Sequence, residues 1–236
     1  MIVVEEGKAK IIVTKDGPYQ VFGALPIDKK IIGIGEEGEP EKWVQGKNVP
    51  SDETCALCRC GESKNHPFCD ETHVKIKFNG METASKKTHD EQAQIIDGPT
   101  LKLKDAPELC ATVRFCHRAG GTWELTHHSD DPKARELAIE ESCDCPSGRI
   151  IECDKKTGMV FEKEFMQSIS LVEDPQKKVS GPLWVKGGVP VESSDGTIYE
   201  VRNRQTLCRC GKSHNKPFCD GNHIDEKFND GDDSLK

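Results

Sequence analysis

The sequence has few aromatic residues and no long apolar run. Phe, Trp and Tyr together make up 6% of its 236 residues, and hydrophobic residues make up 34%. No stretch approaches the roughly 20 apolar residues that a membrane-spanning helix needs. Residues 1–8 lack the basic start and apolar core of a secretion signal, and they are not the Arg-rich start of an organelle transit peptide. We therefore expect a cytoplasmic protein of more than one small domain.

Positive charge and familiar catalytic motifs are also scarce. The chain has 33 basic and 41 acidic side chains and a formal net charge of -8. This balance argues against a nucleic-acid partner, because phosphate binding needs a basic surface. The sequence has no dinucleotide fingerprint, no phosphate-binding loop, and no serine or cysteine triad separate from its possible metal ligands. We expect a protein without enzymatic activity.

Cysteine, by contrast, is abundant. The chain has 12 cysteines, and in a reducing compartment this number favours metal ligands over disulfides. Half of them fall in a pattern that occurs twice, C-x-C-x8-C-x3-H. The candidate ligands are Cys58, Cys60, Cys69 and His73 in the first copy and Cys208, Cys210, Cys219 and His223 in the second.

The ligand spacing favours a cluster over a single ion. One residue between the paired cysteines is fewer than the two to four of a structural zinc knuckle. Two thiolates this close suit one iron of a 2Fe-2S unit, and the third cysteine and the histidine suit the other iron. Zinc in the same ligands and structural disulfides are the alternatives. Asp70 and Asp220 follow the third cysteine, where Asp commonly caps a helix that would place the histidine on the same face.

Both loops resemble the CDGSH iron-sulfur family, also called NEET proteins, whose motif is C-x-C-x2-[ST]-x3-P-x-C-D-G-x2-H. The resemblance implies that each loop binds one 2Fe-2S cluster through three cysteines and one histidine, with Ser63 and Ser213 at the hydroxyl position. The first copy departs from the motif at Glu71, where the family has glycine. We expect its turn to differ or its cluster to be less stable.

The repeat extends beyond the ligand loops. Gly17-Pro18-x-x-Val21-x-Gly23 is matched by Gly181-Pro182-x-x-Val185-x-Gly187. The first copy is longer before its cysteines, so residues 36–50 are predicted to form a surface loop. Each copy, including Ile2–Val4 at the start, predicts a few short antiparallel strands with too small a core to fold alone. The resemblance implies pairing of such units about a two-fold axis, here within one chain as a pseudo-dyad, or in a homodimer.

Residues 95–165 interrupt the repeat and bring five more cysteines. An acidic cap followed by Pro132 predicts a helix over residues 130–141, Asp105 to Glu108 predict another helix start, and residues 150–161 predict a hairpin. The surroundings of Cys110, Cys116 and Cys145-Pro146 resemble the divergent 4Fe-4S mono-cluster domain, a ferredoxin relative. Three cysteines suit a 3Fe-4S cluster, whereas a fourth ligand from Cys143 or His117 would allow 4Fe-4S.

These features predict an α+β protein with three domains: residues 1–94 and 166–236 as two small antiparallel-β CDGSH units, and residues 95–165 as an inserted α+β ferredoxin-like domain. We expect two 2Fe-2S clusters and one 3Fe-4S or 4Fe-4S cluster. The first functional hypothesis is electron transfer to an unidentified redox partner, with pH-linked histidine ligands. The second is storage and donation of 2Fe-2S clusters to apo-proteins, and the third is a structural zinc protein. Arg59 and Arg209, between the paired cysteines, are expected either to offset cluster charge or to lie on the surface.

Overall fold

The computed structural model describes residues 9–236, so the predicted strand at Ile2–Val4 lies outside the described residues. The fold is mixed α+β, with small sheets and few helices. Its strands are β1 (Lys10–Val13), β2 (Tyr19–Phe22), β3 (Ile27–Ile34), β4 (Pro40–Val49), β5 (Thr54–Leu57), β6 (Gln94–Asp97), β7 (Leu101–Asp105), β8 (Ile150–Asp154), β9 (Ser168–Asp174), β10 (Val179–Lys186), β11 (Val191–Glu192) and β12 (Arg204–Leu207). Its helices are α1 (Thr72–Lys75), α2 (His89–Gln92), α3 (Thr122–His127) and α4 (Pro132–Asp144).

The two halves of the repeat exchange strands. One sheet has the order β11-β1-β2-β5 and a second has the order β12-β10-β9-β3-β4. Within them, β11 of the second half lies parallel to β1, with Ile11 opposite Val191. Likewise β3 of the first half lies parallel to β9, with Ile27 opposite Ile169. The other pairings in these two sheets are antiparallel.

The largest apolar core draws on both halves. Alternating residues of β1 and β2, such as Ile11 and Tyr19, pack with Leu171, Val185 and Leu207 of the second half. Each of these side chains has lost essentially all contact with water, and burying a large apolar side chain contributes about 1.5–3 kcal/mol. Because both halves contribute to this core, each half depends on the other to bury its apolar side chains.

The predicted surface loop at residues 36–50 is wrong for most of its length. Residues Pro40–Val49 form β4, the edge strand beside β3. Most of its side chains are exposed, which is why its sequence reads as a loop. Trp43 gives β4 its anchor, because its ring centroid lies 4.6 Å from that of Phe115 and 4.9 Å from that of Trp184.

The inserted segment has its own three-stranded antiparallel sheet, in the order β6-β7-β8. The predicted helix is confirmed as α4, and the Asp131 carboxylate accepts hydrogen bonds from Lys133 N at 2.9 Å and Ala134 N at 2.8 Å. These bonds satisfy amides that would otherwise lack partners at the helix start. The helix predicted after Asp105 is a single 3-10 turn, Pro107–Leu109. None of the helices within residues 9–236 is both long and apolar enough to cross a bilayer.

Candidate metal centres

The first ligand loop follows β5 directly and folds back on that strand. Cys58 N donates to Pro67 O at 2.8 Å, and Cys69 N donates to Ala56 O at 2.8 Å. This backbone framework brings the four candidate ligands together as two pairs. The Sγ atoms of Cys58 and Cys60 are 3.7 Å apart, and Cys69 Sγ is 3.3 Å from His73 Nδ1.

The second loop, after β12, repeats this arrangement. Cys208 N donates to Pro217 O at 2.8 Å and Cys219 N donates to Thr206 O at 2.9 Å. The Sγ atoms of Cys208 and Cys210 are again 3.7 Å apart, and Cys219 Sγ is 3.5 Å from His223 Nδ1. The eight predicted ligands of the two copies therefore stand in two sets of the same geometry.

The thiols of each C-x-C pair share a proton. A hydrogen bond from Cys60 lowers the pKa of Cys58 to about 5, and the same bond raises the pKa of Cys60. In the second copy the bond from Cys210 lowers the pKa of Cys208 to about 7. Backbone amides of Ser63 and Gly61 also donate to Cys58 and favour its thiolate. The thiolate is the metal-binding form, so the hydrogen bonds of each loop favour that form at its first cysteine.

The two pairs of each set face one another without converging on one point. Cys58 lies near enough to Cys69 for its thiolate charge to raise the pKa of Cys69, and Cys208 acts in the same way on Cys219. Yet in residues 9–236 no three Cys, His, Asp or Glu side chains are arranged to hold a single metal ion. Burial lowers the pKa of His223 to about 4, so this imidazole is neutral at pH 7, as a metal ligand must be.

Asp70 and Asp220 support the loops differently from the prediction. Asp70 Oδ2 accepts from Lys64 N at 2.9 Å and its Oδ1 accepts from Thr72 N at 3.0 Å. Asp220 bonds the corresponding amides of the second loop. However, the N-cap of α1 is Glu71, and no α-helix follows Asp220. These carboxylates hold the turn that carries the histidine, because the segment is too short for a stable helix.

Arg59 and Arg209 are buried and hold strands to the loops. Arg59 Nε donates to Gly17 O at 2.8 Å, and its Nη2 donates to two further backbone carbonyls. Arg209 Nε donates to Gly181 O at 2.9 Å and its guanidinium also pairs with Glu173 and Asp230. The expectation that these arginines lie on the surface is wrong, and their hydrogen bonds within residues 9–236 go to carbonyls and carboxylates instead of cysteine sulfur.

Glu71 and Gly221 occupy the same position in the two copies, and both are left-handed, with φ of 65° and 90°. Left-handed backbone is costly for residues with a Cβ and free for glycine. The second copy has an additional reason for glycine, because a Cβ on Gly221 would overlap Thr112 Oγ1. The Glu71 side chain is exposed.

The inserted segment brings Cys110, Cys116 and Cys145 to the lining of one cavity. Burial raises the pKa of Cys116, and thiolate charge on Cys145 and Cys110 raises it further, so the three sulfur atoms are neighbours. Residues 111–115 form another wall, and Arg149 also lines the cavity while its Nε donates to Asp105 Oδ1 at 2.6 Å. Arg149 lies four residues after Cys145, in the stretch that carries the resemblance, but the sequence analysis did not single it out as part of the site.

Neither predicted fourth ligand lines this cavity. Cys143 is buried elsewhere, and its Sγ donates to Phe161 O at 3.6 Å. The His117 ring packs edge-on against Trp123, with the ring centroids 6.1 Å apart. Three cysteines from the insert therefore stand together, and the other two candidates stand apart from them.

Comparison with protein-family models agrees with this description. A model described as iron-binding zinc finger CDGSH type matches residues 16–74 and 180–224. A model described as divergent 4Fe-4S mono-cluster matches residues 96–155, between the two CDGSH matches. A search of curated proteins and a search of solved structures gave no significant match. Both resemblances are thereby confirmed, and they support an iron-sulfur protein.

Proposed function

We propose that this tandem CDGSH chain with an inserted divergent 4Fe-4S mono-cluster region is a cytoplasmic electron carrier with no catalytic activity of its own. Cys58, Cys60, Cys69 and His73 would hold one 2Fe-2S cluster, and the corresponding residues 208, 210, 219 and 223 would hold a second. Cys110, Cys116 and Cys145 would hold a 3Fe-4S or 4Fe-4S cluster. When bound, such clusters supply one-electron transfer.

The distances within the ligand pairs carry this proposal. Two thiolates on one tetrahedral metal, with bonds of about 2.3 Å, lie about 3.8 Å apart. The Cys58–Cys60 and Cys208–Cys210 sulfur distances are both 3.7 Å. Each pair thus has the span of two ligands on one metal, while no three side chains of residues 9–236 surround a single ion. This span, with the third cysteine and the histidine of each loop as a second pair, supports a two-metal cluster.

Amides around the sulfur atoms fit a negatively charged group. Glu71 N donates to Cys69 Sγ at 3.4 Å, and Gly221 N donates to Cys219 Sγ at 3.4 Å. Donors to ligand sulfur and the polarity of their surroundings tune the reduction potential. Since Cys219 is buried and Cys69 is partly exposed, we infer that the two CDGSH sites differ in potential.

The arrangement of the three sites supports a relay. The thiolate of Cys110 adds to the charges that raise the pKa of Cys219, so the insert site adjoins the second CDGSH site. The two CDGSH loops also touch, because a Cβ on Gly61 would overlap Cys210 O and a Cβ on Gly211 would overlap Cys60 O. This reciprocity and the strand exchange support a pseudo-two-fold relation within one chain.

We infer that the histidines are the pH-sensitive ligands, and that they differ. His73 is partly exposed, so solvent protons can reach its ring, whereas His223 is buried. Acid should therefore release metal from the first site before the second. Replacing His73 by cysteine should suppress the earlier acid-induced loss of visible absorbance, and replacing His223 should affect only the later one. Equal pH profiles for both variants and the wild type would remove the histidines from the release.

Donation of 2Fe-2S clusters is the second candidate function, and the exposure of Cys69 and His73 favours it. The two functions are separated by mixing the loaded, reduced protein with an oxidised redox protein or with an apo-ferredoxin. A carrier transfers electrons and keeps its iron, whereas a donor transfers iron to the apo-protein.

The test of the cluster assignment is iron, sulfide and zinc content per chain, with absorption and EPR spectra of anaerobically purified protein before and after dithionite. Seven or eight irons per chain are expected from two 2Fe-2S clusters and one larger cluster, and an EPR signal in the oxidised state would identify 3Fe-4S. About four irons would leave the insert as a spacer. Zinc with no visible absorption would overturn the proposal.

A further inference from the structure

The two CDGSH sites are unequally accessible. At the second site, Cys219 is 2% exposed and His223 is 3% exposed. At the first site, Cys69 and His73 are both partly exposed. The two loops have the same internal geometry, so the difference comes from what covers each loop.

The inserted segment covers the second site. Thr112 packs directly on Gly221, and Val113 and Phe115 belong to the same buried apolar cluster as Cys219. A further bond holds this cover in place, since Asn215 Nδ2 donates to Glu108 O at 2.7 Å. Another protein would have to displace the insert to reach this side of the second loop.

An open groove of about 610 Å³ lies between the two ligand loops, and Cys60 of the first site is the candidate ligand in its lining. We call it the basic groove; its lining includes Cys60, Ile76, Lys77, Met81, Lys212 and Lys216. Cys60 is one of the candidate cluster ligands. Apolar side chains in the groove lining are exposed, with Met81 64% and Ile76 47% accessible. Among the groove-lining residues, three are lysines and Glu62 is the one carboxylate.

The groove is positively charged, whereas the whole chain has a net charge of -8. The segment after His73 reads Val74-Lys75-Ile76-Lys77, whereas the segment after His223 reads Ile224-Asp225-Glu226-Lys227. An apolar centre with a basic rim suits a negatively charged protein surface, and rim charges chiefly accelerate and orient association. A small, partly apolar contact also suits the short-lived complexes of electron transfer.

We propose that the basic groove is the docking surface for a redox partner with an acidic surface, so that electrons enter or leave the protein at the first CDGSH site. This inference rests on the proposed electron-carrier function. It assigns different tasks to two sites of the same geometry. The first contacts the partner through Cys60, whereas the second contributes residues 211–214 and Lys216 but no candidate ligand to the groove lining and lies next to the insert site.

Lys77 and Lys227 provide a matched test. They occupy corresponding positions after the two histidines, both are exposed, and both have left-handed backbone, with φ of 52° and 49°. Lys77→Glu, after the first site, and Lys212→Glu, in the second ligand loop, change the basic groove. Lys227→Glu makes the same charge change after His223, outside the groove lining. A flavodoxin of strongly negative net charge is the probe. Stopped-flow spectroscopy gives its second-order rate of reduction by the loaded, reduced protein, and calorimetry gives its affinity at low salt.

Each groove variant should reduce the rate by about two- to threefold at low ionic strength, because a charge reversal roughly 8 Å from a partner charge is partly screened. In the Lys77→Glu/Lys212→Glu double variant the second-order rate should fall about four- to tenfold. This variant should also bind the probe correspondingly more weakly and lose most of the salt dependence of the rate. Lys227→Glu should match the wild type. Lys77→Gln removes one charge instead of reversing it. It should therefore lower the logarithm of the rate by about half as much as Lys77→Glu does.

Cluster content and reduction potential are measured for every variant, so that a damaged site is not mistaken for a damaged surface. The docking proposal is overturned if all variants contain clusters and the groove variants react and bind like the wild type. It is also overturned if Lys227→Glu lowers the rate as much as Lys77→Glu does. If the wild type lacks redox-active clusters, the electron-carrier proposal fails first and independently.

Discussion

Replacement of Gly221 by alanine should open the second site, because this glycine lets the insert pack on it. The left-handed backbone costs an L-residue about 1–2 kcal/mol, and φ at Gly221 is 90°. The added Cβ would also overlap Thr112 Oγ1, and overpacking of this kind costs about 1–3 kcal/mol. Together the two effects predict a loss of about 2–5 kcal/mol in the free energy of unfolding.

The assay is urea unfolding of the loaded protein, followed by visible absorbance and by tryptophan fluorescence. Trp184 is suited to this purpose, since it belongs to the same buried cluster as Cys219 and Val113. Gly221→Ala should lower the urea midpoint and accelerate removal of iron from the second site by a chelator. Glu71→Ala is the matched control, because it keeps the left-handed strain and the Cβ of the first copy and should change the midpoint little.

A second substitution separates the two effects. Thr112→Gly removes the side chain that the new Cβ would strike and also relieves the left-handed strain at Thr112, where φ is 55°. The Gly221→Ala/Thr112→Gly protein should therefore regain about 1–3 kcal/mol beyond the effect of Thr112→Gly alone, as a coupling energy in a double-mutant cycle. Strict additivity of the two substitutions would refute the steric account of why this glycine is needed.

Three further predictions concern buried groups. Arg209→Met should lower the free energy of unfolding by about 3–5 kcal/mol, because it leaves Glu173 and Asp230 as buried unpaired carboxylates. Arg59→Met removes hydrogen bonds to carbonyl groups only and should lower it less in the same unfolding assay. The reverse order would contradict the assignment. Burial raises the pKa of Glu141 to about 7, so its folded form binds a proton that the unfolded form has lost, and stability should fall as pH rises from about 4.5 through 7, by up to about 3 kcal/mol. Burial also raises the pKa of Glu152 to about 7, so Glu141→Gln should remove only the part of this fall that Glu141 causes. An unchanged pH profile would exclude Glu141 as a source. Cys145→Ala should remove the iron of the insert, whereas Cys143→Ala should keep it, as iron analysis can show.

The buried arginines and the two candidate histidine ligands show that equal motifs do not have equal surroundings. Arg209 is paired with two carboxylates, whereas the bonds of Arg59 go to backbone carbonyls. The corresponding histidines likewise differ in exposure. Both differences come from residues far away in the chain, such as Glu173, Asp230 and Thr112. A duplicated loop can therefore acquire two different environments without any change in its candidate ligands.

Short-range features could be predicted from the sequence alone. The ligand pairs are two and four residues apart, so the local backbone brings their sulfur and nitrogen atoms together with little help from the rest of the chain. The same is true of the N-cap of α4. The repeat and the insert were also recognisable, because the spacing of glycine, proline and cysteine can be read directly from the sequence. The family models match these regions.

Long-range features were decided only by the tertiary structure. The parallel pairing of β1 with β11 and of β3 with β9 joins residues more than 140 positions apart, and no local pattern specifies such a partner. Most side chains of β4 are exposed, so its sequence does not have the apolar pattern of a strand. Its packing depends on the contact of Trp43 with Phe115, which lies far away in the chain. The cover over the second site depends on Thr112 meeting Gly221. These contacts form only when separate segments fold together, and they are what distinguishes the buried CDGSH site from the open one.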